Sequence, residues 1–168
     1  RSMGDATFTM QDGTVNGTIE GSGDATFIMN DGTLNGAIHI VPNVEIHGGT
    51  INSESSNDGY SYGIYLIENS KLAVSGGSIS AKNTAGAAYG ILGSDGCEVT
   101  LSGAVDITAS APEGKPASSM YYSQAPKTLD ATGVTSFKKP FVISTGGSNL
   151  AKISPFFNNT LQEFSHPL

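Results

Sequence analysis

Along most of the chain, apolar and polar residues alternate with a period of two over runs of four or five residues. The runs end at Gly, Asn or Ser, as in Leu72-Ala73-Val74-Ser75-Gly76-Gly77-Ser78-Ile79-Ser80. Period-two alternation bounded by turn formers predicts short strands with one face buried. Val, Ile, Thr and Phe dominate the runs, and these residues suit a pleated surface. No stretch carries an apolar 3.6-residue period, so an all-β chain is expected.

The runs repeat. Phe8-Thr9-Met10-Gln11-Asp12-Gly13-Thr14-Val15-Asn16 returns as Phe27-Ile28-Met29-Asn30-Asp31-Gly32-Thr33-Leu34-Asn35, a shift of 19. Further copies start at Val44, Leu72 and Val99, the last with a one-residue slip after its Gly. A second phrase, Tyr62-Gly63-Ile64-Tyr65, returns as Tyr89-Gly90-Ile91-Leu92 at a shift of 27, the same shift that relates Leu72 to Val99. Self-similarity at such periods, with extra residues entering at one corner, marks stacked repeats. The fold expected is a single-stranded right-handed parallel β-helix, a solenoid of about five clear coils with an irregular C-terminal cap. The hand follows from the general bias of parallel crossovers. Phe8, Phe27, Val44, Leu72 and Val99 should form one inward ladder, and Val15, Leu34, Ile51 and Ile79 another. Asn16, Asn35 and Asn52 should stack amide on amide, and Lys71 should face Glu98 one coil on.

At 168 residues the length suits one domain. Residues 1–3 read as an expression remnant. Residues 4–110 form regular coils, with 57–70 and 83–97 as insertions. Residues 111–150 read as degraded coils and loops, and 151–168 as a cap whose Phe156, Phe157 and Phe164 close the open core. The pattern starts in mid-repeat at Gly4, which fits a module of a larger multidomain protein.

A net charge of −7 argues against nucleic acid as a partner, which needs a basic stripe. No apolar run is long enough to insert into a membrane. Cys97 is the only cysteine and shares strand parity with Val99 and Leu101, so an inward, inert thiol is expected. The chain has no Asp-Asp pair, no arginine beyond Arg1 and no Gly-x-Ser-x-Gly elbow. His39, His47 and His166 fall in different elements without metal-ligand spacing. A lyase or hydrolase is the least favoured reading, and no enzyme activity is expected. Asp12 and Asp31 should lie one coil apart, as should Asp5 and Asp24. Stacked like charges invite a calcium ion, which makes Asp12 and Asp31 the metal candidates, with no other cofactor expected. The same residues also fit plain Asp-Gly turns. Tyr62 and Tyr89 are tied to Gly63 and Gly90 and should pack at a coil corner. Tyr60, Tyr65, Tyr121 and Tyr122 are freer and are the candidate ligand contacts, since exposed aromatic rings bury sugar faces.

The phrases Gly49-Thr50-Ile51-Asn52, Gly63-Ile64, Leu72 to Ser80 and Gly90-Ile91 resemble the repeats of bacterial surface β-helix proteins. In particular they are similar to the clostridial β-helix family of carbohydrate-binding modules that take acidic plant polysaccharide, over about residues 4–110. The resemblance implies a bacterial cell-surface or extracellular setting and a polysaccharide or surface-glycan partner. In that family an Asp commonly precedes the Gly-Ile and contributes to calcium binding; here Tyr62 and Tyr89 hold the position. The expectation is therefore a non-catalytic extracellular module that binds carbohydrate or another surface ligand on its flank. A structural spacer or adhesin stalk without a small ligand is the alternative.

Overall fold

The computed structural model describes residues 2–123, 126–137 and 141–145. All regular structure in them is β-strand, and the strands pair in parallel. Beyond the first short strand, the chain runs in a repeating order through three sheets, here A, B and C. Sheet B holds Thr7–Met10, Thr26–Met29, Asn43–Ile46, Lys71–Val74, the first part of Glu98–Ser110, and Thr128–Phe137. Sheet C holds Thr14–Asn16, Thr33–Asn35, Thr50–Ser55, Ser78–Asn83 and the second part of Glu98–Ser110. Sheet A holds Ser2–Met3, Ile19–Gly21, Ile38–His39, Tyr60–Leu66, Ala87–Gly93, Ala117–Tyr122 and Ile143–Thr145. Sheets B and C share the long strand Glu98–Ser110 and so form one ten-stranded sheet, a path of nine strands with Thr128–Phe137 paired to Glu98–Ser110 off it. This arrangement is consistent with a parallel β-helix-like solenoid.

Three apolar ladders fill the interior. The sheet B ladder runs Phe8, Phe27, Val44, Leu72, Val99, Leu129. The sheet C ladder runs Val15, Leu34, Ile51, Ile79, Ile107. Both expected ladders are therefore present, and Ile107 carries the slip. The third, in sheet A, runs Ile19, Ile38, Ile64, Ile91, Met120, Ile143. Apart from Phe8 and Val15 in the first coil, which are half-buried, every rung is buried. Each such side chain contributes roughly 2 kcal/mol of apolar burial.

Polar ladders mark the corners. Asn35 Nδ2 donates to Asn16 Oδ1 at 2.9 Å, and Asn30 Nδ2 to Gln11 Oε1 at 2.8 Å. The turn from sheet B to sheet C carries a glycine at positive φ in successive coils, Gly32 (97°) and Gly49 (79°) among them. A Cβ on Gly32 would lie 2.6 Å from the Gly13 carbonyl oxygen, so coils approach too closely there for a side chain.

Several expectations need correction. The insertions 57–70 and 83–97 are structured: seven residues of each form a sheet A strand, longer than Ile38–His39 in the coil before. Lys71 and Glu98 are Cα partners, but the Glu98 carboxylate pairs with Lys127 Nζ at 2.5 Å. That contact holds the Glu98 carboxyl below its ordinary range. Ser2 and Met3 are the Cα partners of Glu20 and Gly21. Leu129 and Ile143 do continue the ladders, across two register shifts in Thr128–Phe137. The cap expected over residues 151–168, with Phe156, Phe157 and Phe164, lies outside the described residues, as do Arg1 and His166.

Candidate functional site

The strand Tyr60–Leu66 does not alternate strictly. Tyr60, Tyr62 and Tyr65 reach the surface, whereas Ser61, Gly63, Ile64 and Leu66 are buried. Two consecutive inward residues, Gly63 and Ile64, reset the parity and put three tyrosines on one face. Only glycine fits at the reset, because a Cβ on Gly63 would lie 2.5 Å from Ile79 Cγ2 and 2.9 Å from the Gly90 carbonyl oxygen. Gly90 repeats the situation one coil on, against Ile107 Cγ2 at 2.5 Å.

Register then assembles the face. Tyr62 is the Cα partner of Tyr89, while His39, Tyr65, Leu92 and Tyr121 follow one another up the next row. His39 stacks on Tyr65 with ring centroids 5.5 Å apart and meets Tyr62 at 5.8 Å; Tyr62 meets Tyr65 at 5.4 Å. Tyr89 stacks on Tyr121 at 4.7 Å and meets Tyr60 at 5.7 Å. Five tyrosines and a histidine thus form two touching ring groups across successive coils. Tyr60 stands out at 63 % exposure, whereas Tyr89 lies low at 5 %. Burial raises the phenol pKa of Tyr62 and of Tyr89 above the ordinary value, so both are neutral hydroxyls at physiological pH. Glu20 closes the face at one end, its Oε1 3.4 Å from His39 Nδ1.

Asn83 supports the face from below. Its buried amide donates to the Gly59 and Ala87 carbonyls at 3.1 and 3.2 Å and accepts from Ala85 N and Gly86 N at 3.0 and 2.9 Å. It therefore fixes the backbone beside Tyr60 and before Tyr89.

Of the expected ligand contacts, Tyr60, Tyr65 and Tyr121 come together on this face. Tyr122 does not: it is wholly buried among core residues, and burial pushes its phenol well above the ordinary value. Within Ala117–Tyr122 the two neighbouring tyrosines take opposite faces, and Tyr121 takes the outer one. Tyr62 and Tyr89, expected to pack at a coil corner, are half-buried and buried respectively, and His39 and Asn83 were not singled out beside them. The shift-27 phrase held the signal for the first two.

Asp12 and Asp31 lie elsewhere, in the corner between sheets B and C. Each carboxylate accepts from the next N–H, Gly13 at 2.6 Å and Gly32 at 2.7 Å, the arrangement of an Asp-Gly turn. Asp5 Oδ1 accepts from Asp24 N at 3.1 Å. No group of three His, Cys, Asp or Glu that could hold a metal forms among the described residues.

Two further constellations are polar. Asn35, Asn52, Ser80, Glu54 and Lys82 line an open groove of about 600 Å3 along sheet C. At the corner between sheets B and C, His47 Nδ1 lies 3.0 Å from Ser75 Oγ and His47 Nε2 lies 3.5 Å from Glu45 Oε2. This has the order of a hydroxyl, a base and a carboxylate. All three residues are exposed, however, and Ser75 Oγ also donates to the Ile46 carbonyl at 3.4 Å. The contact is one more rung of the side-chain ladder that Gln11 and Asn30 begin. Comparison with protein families, curated proteins and solved structures gives no match for the chain.

Proposed function

We propose that the chain is a right-handed parallel β-helix that serves as a non-catalytic carbohydrate-binding module, with the outer face of sheet A as its binding surface. The observation that carries this reading is the gathering of Tyr60, Tyr62, Tyr65, Tyr89, Tyr121 and His39 on one rigid face. Aromatic rings held by a sheet bury the apolar side of a sugar at little entropic cost. The role suits an extracellular or bacterial-surface protein of several domains, and such binding needs neither calcium nor catalytic groups. A spacer or adhesin stalk without a small ligand is the second reading, favoured by the Asn and Ser residues of sheet C (Asn35, Asn52, Ser53, Ser80) but not by Glu54 and Lys82 beside them.

Affinity electrophoresis on immobilised plant and host glycans, with calcium and again with EDTA, tests the reading. Retention on at least one glycan that Tyr60→Ala abolishes or weakens is the expected result. No retention in either buffer would leave the spacer as the better account.

A further inference from the structure

We infer that the aromatic face takes a neutral glycan chain lying along the stacking axis, and that it rejects acidic ones. This rests on the carbohydrate-binding reading above and goes beyond it to the class of ligand. The seven strands of sheet A contain no Lys, Arg or Asp, and their one charged acid is Glu20. The other two sheets are charged outside: Glu45, Lys71, Glu98 and Asp130 on sheet B, Glu54, Lys82 and Asp106 on sheet C. In a chain of net charge −7, the charges avoid the one face that presents rings.

A uronate chain brought to this face would give up carboxylate hydration and find no cation in return. It would also meet the repulsion of the whole acidic molecule. A neutral chain incurs neither cost. Its hydroxyls find neutral partners in the phenols of Tyr60, Tyr62 and Tyr65, which reach the surface and can donate as well as accept. The row His39, Tyr65, Leu92, Tyr121 crosses three inter-coil steps, about 14 Å at the usual strand spacing. That length fits several sugar rings in a row, so affinity should rise from a disaccharide to a longer oligosaccharide.

The test compares neutral gels (mixed-linkage β-glucan, xyloglucan, galactomannan) with acidic ones (polygalacturonate, alginate). It uses the intact chain, Tyr60→Ala and Tyr121→Ala, with thermal melts to confirm folding. The expected result is retention on a neutral gel that survives EDTA and about 1 M NaCl, where exposed charge attraction is screened within about 3 Å. Each variant should weaken retention about tenfold, the effect of losing one buried ring contact. Tyr60 is so exposed that its removal cannot harm the core, which keeps that variant informative. Retention on polygalacturonate alone, dependent on calcium, would overturn the inference yet leave a carbohydrate-binding module. Neutral binding unaffected by both variants would overturn the assignment to this face. No retention on any gel, with a dimer in sedimentation that Tyr60→Ala disperses, would overturn both the inference and the module and make a second copy the occupant.

Discussion

Asn83→Ala is the sharpest test of how the aromatic face is held. Asn83 is 2 % exposed and uses its amide fully, donating twice and accepting twice. The alanine variant removes all four bonds at once. The bonds to Gly59 and Ala85 are part-buried, and water can replace those at roughly 0.5 kcal/mol each. The Ala87 carbonyl and the Gly86 N–H are buried and would lose a partner without gaining water, at roughly 1 kcal/mol or more each. The total is about 3 kcal/mol of lost stability, a large share of what a domain possesses.

Urea unfolding followed by circular dichroism measures this, with an expected midpoint shift of about 1 M. Asn83→Asp keeps the two acceptor contacts, loses both donations and buries a charge. It should be at least as damaging at pH 7 and recover toward the parent as the carboxylate takes up its proton in acid. Because the amide ties Gly59 to Ala87, Asn83→Ala should also loosen Tyr60 against Tyr89 and speed amide exchange at Ala85 and Gly86. A loss below about 1 kcal/mol, with exchange unchanged, would refute the claim that these bonds organise the corner.

Three further outcomes follow from the interior. Gly90→Ala places a methyl 2.5 Å from Ile107 Cγ2 and 2.6 Å from the Ser119 carbonyl oxygen, and thermal unfolding should show a loss of about 2 kcal/mol. Tyr122→Phe removes a buried hydroxyl that has no partner among the described residues, so it should be neutral or stabilising by up to about 1 kcal/mol, while Tyr122→Ala should cost about 4 kcal/mol; a clear loss in the Phe variant would mean that the hydroxyl is bonded. Burial pushes the Cys97 thiol from 9.0 to about 11, so its contribution is fully present below about pH 9 and is lost as pH rises through about 11, a fall of up to roughly 3 kcal/mol. The tyrosines titrate in the same direction, so the difference between the parent and Cys97→Ala in urea melts at pH 8 and pH 11 isolates the thiol.

Where the sequence was informative, it was so through spacing. A shift of 19 at identical residue types leaves one register for Phe8 on Phe27 and Asn16 on Asn35, and both pairings are present. Sheet A was harder to read, because its early strands have only two or three residues, Ile19–Gly21 and Ile38–His39. Runs that short show no alternation, so the longer Tyr60–Leu66 looked like an insertion rather than the same strand extended. Tyr122 was misplaced for a related reason: two adjacent tyrosines carry no parity until the strand is known. Asn83 makes three of its four bonds locally, to Ala85, Gly86 and Ala87, and only the bond to Gly59 crosses to the neighbouring coil and could not be read from spacing.

The Gly-Ile phrase gives the site its logic. In a strictly alternating strand Tyr62 and Ile64 would share a face, so either the tyrosine would be buried or the isoleucine exposed. The glycine breaks that constraint by occupying an inward position with no side chain, after which Ile64 and Ile91 still reach the core. Whatever stands just before the glycine is thereby directed outward, and repetition one coil on places a second copy beside it. The residue type at that position then decides the chemistry of the face. Aspartates there would stack carboxylates and call for a cation. The tyrosines instead each gather rings around them, Tyr62 with His39 and Tyr65 and Tyr89 with Tyr60 and Tyr121, and the strands of the same sheet carry no lysine or arginine. If the proposed carbohydrate-binding role holds, Tyr62 and Tyr89 are the positions at which exchange for Asp should shift the face from neutral toward acidic ligands. Replacing both with Asp should weaken neutral-glycan retention and make any remaining binding depend on calcium.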